Sequence, residues 1–128
     1  MQNFEVDIIN YIGGNEKLAQ YLGVESIYPI FTTEVNKTSL TYQFDNQPSD
    51  GLVNESQLKL RIISKDYDEA KNIEFIIRGF LDMKRNNEYK FVGNTHFRSS
   101  LAGGGCLFNG SAQMYENLLI FQITWKER

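Results

Sequence analysis

A chain of 128 residues with 41% hydrophobic and 23% charged residues is predicted to fold as a single α+β domain spanning 1–128, because two separate cores of half that length would each be marginal. The net charge of −3, from 13 basic and 16 acidic residues, argues against a protein built to grip phosphates. One cysteine, Cys106, excludes an internal disulfide and a multi-cysteine metal site, and the acids Glu5 and Asp7 stand where a signal peptide would be basic and then apolar. No apolar run approaches the ~20 residues that cross a bilayer, so a reducing cytoplasm and no membrane partner are expected.

In chain order, Phe4, Ile8, Ile9 and Ile12 recur at helical spacing until Gly13-Gly14. Asn15 is placed to cap a second short helix carrying Leu18, Ala19 and Leu22, with Gly23 ending it. Ser26 to Phe31 is rich in strand formers, yet Pro29 lacks the N–H that a central strand donates, which predicts an edge strand or an extended lead-in. Residues 39–45 alternate, with Leu40, Tyr42 and Phe44 on one face. A polar loop from Asp45 to Glu55 separates this strand from a second, Gln57 to Ser64, whose Leu58, Leu60 and Ile62 alternate with Lys59 and Arg61.

Asp66 followed three residues later by Glu69 resembles a capping box. The helix it opens is predicted to run to Lys84, with Ala70, Ile73, Ile76, Ile77, Phe80 and Leu81 as its apolar stripe. After the Asn86-Asn87 turn, Tyr89 to Leu101 reads as one strand. Ala102 to Gly105 is expected to break it, with residues 106–112 as loop. The last strand, Tyr115 to Trp125, alternates most clearly. The order predicts an antiparallel or mixed sheet of four to five strands, one long helix packed on it, and short N-terminal helices. Ile63 and Ile120 interrupt the polar face and suit a subunit contact.

Chemistry is sparse. His96 and Cys106 are each single in the chain and belong to no nucleophile motif. Gly103-Gly104-Gly105 lacks the helix start and the Lys-Ser/Thr pair of a phosphate loop, so it reads as a hairpin loop. Asp66, Asp68 and Glu69 are explained by helix capping. No catalytic, cofactor or metal residue is nominated, and no enzyme activity is expected. A competing expectation is a small ligand-binding or enzymatic domain with a pocket lined by His96, Phe97 and Tyr115. The many aromatics point instead to protein interfaces.

Ser26-Ile27-Tyr28-Pro29, the Leu40-Tyr42-Phe44 strand, the polar loop, the Leu58–Ile63 strand and the Asp66–Leu81 helix together resemble the tail-completion or tail-terminator proteins of long-tailed bacteriophages and prophages. The ending, Arg98-Ser99-Ser100 through the glycines and Met114-Tyr115-Glu116-Asn117 into Phe121-Gln122-Ile123-Thr124-Trp125, is similar to small tail-assembly proteins of phages of Gram-positive bacteria. The resemblance implies a structural subunit of the virion, assembled in the host cytoplasm. It would form a ring, typically a hexamer, at the head-proximal end of the tail. The ring's partners would be the tail tube protein and the head connector or head-closure protein, with DNA passing through the lumen unspecifically. A head-closure adaptor on the portal side is the alternative role. No catalytic residues carry over. The interface is expected in two loops: Gln47, Pro48, Asp50, Gly51 and Asn54 in one, Gly103, Gly104, Gly105, Leu107 and Phe108 in the other.

Overall fold

The computed structural model describes residues 3–22, 26–29, 37–47, 51, 53–83, 88–111 and 113–127. Among these residues, three helices and six strands follow in the order α1 (Asn3–Gly13), α2 (Glu16–Ala19), β1 (Ile27–Pro29), β2 (Ser39–Asn46), β3 (Asn54–Ser64), α3 (Tyr67–Leu81), β4 (Lys90–Val92), β5 (Thr95–Asn109) and β6 (Met114–Glu127). The strands form one sheet in the order β1-β2-β3-β6-β5-β4, antiparallel throughout except where β1 runs parallel to β2.

This corrects the expected architecture. Four to five strands under one long helix are replaced by a curled, six-stranded mixed half-barrel carrying three short helices. Two causes stand out. Gly93, at φ +57, turns the chain between β4 and β5, splitting what reads as one strand into a hairpin. The turn is anchored to α1, since the Asp7 carboxylate accepts hydrogen bonds from the Asn94 N–H (3.2 Å) and the Thr95 hydroxyl (2.8 Å).

The second cause lies in the glycine run. Gly103, Gly104 and Gly105 do not break β5; they pair with Ile120, Leu119 and Leu118 of β6, after a register shift between Leu101 and Gly103. A bulge here bends the strand and supports the curl of the sheet. Residues 106–109, expected as loop, continue the same ladder to Asn109↔Met114.

The helices share one face of the sheet. There Leu58, Leu60 and Ile62 of β3 meet Leu40, Tyr42 and Phe44 of β2 and Leu119, Phe121 and Ile123 of β6. Phe4 of α1 stacks on Trp125 (3.8 Å between ring centroids) and meets Phe44 edge-on at 5.5 Å. Tyr11, two turns further along, meets Phe97 edge-on at 5.1 Å. Of the expected α3 stripe, Ala70, Ile73, Ile77 and Leu81 are fully buried, whereas Ile76 and Phe80 pack at its margin.

Asp66 caps α3 as expected, its carboxylate accepting from the Asp68 and Glu69 N–H groups. The reciprocal half of the box is replaced. Glu69 accepts from the Ser64 (3.0 Å) and Thr38 hydroxyls, and Ser64 Oγ takes the Asp66 N–H at 3.1 Å. The cap thereby ties α3 to the end of β3.

On the opposite face, Lys59 pairs with Asp45 and Arg61 with Glu116, exposed contacts that contribute little. Ile63 and Ile120 are half-buried among these polar neighbours.

Two substitutions test this packing by urea unfolding. Phe121→Ala empties a fully buried site and is expected to cost about 3–5 kcal/mol. Gly104→Ala places a Cβ 2.2 Å from the Leu118 carbonyl oxygen and is expected to destabilise by about 1–3 kcal/mol. A free loop at that position would tolerate the alanine.

Candidate assembly surface

β6 is paired along nearly its whole length on both sides, by β3 from Asn54↔Trp125 to Ser64↔Tyr115 and by β5 from Thr95↔Glu127 to Asn109↔Met114. The outer half of β5 therefore rides on β6 as the rim of the sheet. Strand alternation puts Gly104, Cys106 and Phe108 on the helix face, opposite Leu119, Asn117 and Tyr115, and Gly103, Gly105 and Leu107 on the other. Residues 104–108 are all exposed, with Leu107 at 61% and Phe108 at 54%.

An aromatic row extends this rim. Phe108 lies 5.0 Å from Tyr115, which meets Tyr67 edge-on at 5.3 Å. Tyr67 opens α3, fixed there by the Asp66 cap, and the Lys71 ammonium sits 5.6 Å over its ring. Between α3 and the glycine stretch runs a groove of about 360 Å³, lined by Lys71, Glu74, Arg78, Gly104, Cys106 and Leu119 among others. Its floor is open because the glycines present no side chains.

The two groups of expected interface residues lie apart on the sheet, one at the β2–β3 connection and the other along β5. Gln47 closes the β2–β3 connection, its N–H bonded to the Glu55 carbonyl (2.9 Å) and its side chain accepting from Gln122 (3.0 Å). Asn54 pairs with Trp125, and Gly51 is exposed at φ +92. Pro48 and Asp50 lie outside the described residues. Gly103, Gly104, Gly105, Leu107 and Phe108 pair with β6 from Ile120 to Tyr115, five to ten residues along that strand from Trp125, roughly 17 to 33 Å for an extended strand. The second group is a strand edge rather than the expected loop.

The residues of the competing pocket are not brought together. Phe97 is buried in the core, His96 is half-buried against Phe91 (4.7 Å), and Tyr115 lies at the far end of the β5–β6 ladder. His96 and Cys106 share β5 ten residues apart, roughly 30 Å, too far for the two to act as a catalytic pair. Cys106 instead has its sulfur 2.9 Å from Asn117 Oδ1.

A larger groove of about 690 Å³ lies between the first two helices and α3, lined by Tyr11, Asn15, Phe75, Ile76, Gly79 and Phe80 among others. Burial raises the Tyr11 phenol above its usual 10.0. Tyr42 is raised too, first by burial and then by the nearby Glu5 carboxylate.

Sequence reasoning did not single out Tyr67 or Phe75. Phe75, at 79% exposure, falls off the apolar spacing of Ile73, Ile76, Ile77 and Phe80, and that misfit is a legible sign of an outward aromatic. The Gly93-Asn94 pair flanked by strand formers is likewise a recognised hairpin signal.

No family profile matches the sequence, and no curated protein matches it. Among solved structures, the chain is similar to a chain of the virion of a native gene transfer agent particle. The TM-score is 0.71 at 12% identity, over 94% of this chain and 92% of that one. At that identity the likeness is one of fold, spanning nearly the full length of both chains.

If the rim is a surface feature, Phe108→Ser is expected to leave unfolding free energy within about 0.5 kcal/mol of the parent, read from the same urea titration. A loss of several kcal/mol would place Phe108 in the core.

Proposed function

We propose that the chain is a structural protein of a phage-like particle and, within it, a ring-forming tail terminator. In that role it caps the tail tube at the head-proximal end and joins it to the head connector. The observation that carries the reading is the shared fold with a virion chain over nearly the full length of both. It is supported by the resemblance of the strand and helix pattern to tail-completion proteins, and by an exposed aromatic rim on a curled sheet.

The role is structural, without a reaction. A subunit with a heterologous contact closes a ring when its rotation closes, and a closed ring leaves no further site for the same contact. Six subunits would stop tube growth by saturation, with one face of the ring matched to the last tube layer and the other to the connector. DNA would pass through the lumen without sequence readout, in keeping with a net charge of −3.

Electron microscopy of the purified chain mixed with its tail tube protein tests the role. Tubes of limited length bearing sixfold end rings are expected. Tubes that grow unchecked with bare ends would overturn the terminator role, and binding to the connector alone would assign the chain to the head side.

A further inference from the structure

From Ser99 to Gly110 the chain holds no charged residue and no proline. β4 covers the outer edge of β5 only as far as Phe97. The end of α3 covers the next part: the Met83 N–H donates to the Ser99 carbonyl (2.9 Å), and the Leu101 N–H donates to Asp82 Oδ1 (3.2 Å). From Ala102 to Phe108 no described strand pairs with that edge. Soluble proteins blunt open edges with lysine, proline or a covering element. None of these devices is present on this stretch among the described residues.

The stretch has two halves of opposite size. Ala102 to Gly105 is nearly free of side chains, while Leu107 and Phe108 project from the other end. Antiparallel pairing of this edge with a second copy brings each bulky half against the other copy's glycines. In the register centred on Cys106, Leu107 faces Gly105 of the second copy and Phe108 faces its Gly104. Each pair lies on one sheet face, since Leu107 shares a face with Gly105 and Phe108 with Gly104. The helix-face groove of about 360 Å³ lies over Gly104, where the second copy's Phe108 would sit. α3 packs on β3 and β6 as well as β5, and its Lys71 and Arg78 stems line the groove.

We propose that the outer edge of β5 is self-pairing: two copies of the chain join antiparallel along Ala102–Phe108, each seating Phe108 in the groove over the other's Gly104. Two strand edges with their half-exposed side chains bury on the order of 500 Å² per copy, below the ~800 Å² of a standard interface. The dimer is therefore concentration-dependent. A two-fold contact closes on itself and builds no ring. The pairing thus belongs to the free protein, and its failure would leave the tail role standing on tube binding.

Cys106 is an internal reporter, because this register sets it opposite Cys106 of the second copy. Sedimentation velocity over a concentration series reaching the millimolar range is expected to show a monomer–dimer equilibrium. Mild oxidation with diamide at the dimeric end is expected to give a Cys106-linked dimer. Leu107→Lys, or Phe108→Lys should the first variant fail to fold, is expected to abolish the dimer and slow crosslinking by on the order of tenfold or more. Phe75→Lys, equally charged but on α3, is expected to change neither. A chain that stays monomeric throughout, a dimer that survives both β5 variants, a dimer lost in Phe75→Lys, or crosslinking no faster than in Leu107→Lys would each overturn the proposal.

Discussion

Backbone pairing along both sides of β6 is the constraint on which the rest of the molecule depends. Its helix-face residues Leu119, Phe121 and Ile123 supply the middle of the core, and its two neighbours take their register from it. β5 is held in the sheet beyond Leu101 almost wholly by this ladder, because glycines at 103–105 give α3 nothing to pack against. The stretch is strand by virtue of its partner, against its own low propensity. Close backbone approach follows, with Gly104 set so near the Leu118 carbonyl that a methyl group has no room.

That arrangement determines what the surface offers. A strand fixed on one side and bare on the other presents hydrogen-bonding backbone, a side-chain-free groove and two apolar side chains in one place. Chemistry requires convergent polar groups, and here the titratable singletons His96 and Cys106 are held far apart along the same strand. Association requires shape and apolar area, and these are concentrated on the β5 rim and its aromatic row.

Legibility in the sequence followed the strength of local patterns. The α3 start was readable because Asp66 acts through its own neighbours, and β2, β3 and β6 were readable because each has one buried face. The glycine run was misread because its strand character lies in β6, more than ten residues away in sequence. Six strands replaced the expected four to five partly because Gly93-Asn94 is a short signal inside an otherwise strand-like run, and its anchor is Asp7 in α1. The interface candidates between Gly103 and Phe108, expected in a loop, lie on a strand edge. Leu107 and Phe108 are exposed in either case, whereas the groove over Gly104 exists only because the segment is a strand.

The most direct test of the account is hydrogen exchange at the amides of Ala102 to Phe108, compared between dilute protein and protein associated with itself. If this edge is where another chain pairs, amides in the stretch that exchange rapidly in the dilute monomer will become protected on association, while those already bonded to β6 stay slow in both. Unchanged exchange across the stretch in a demonstrably associated sample would contradict it and move the contact elsewhere on the sheet.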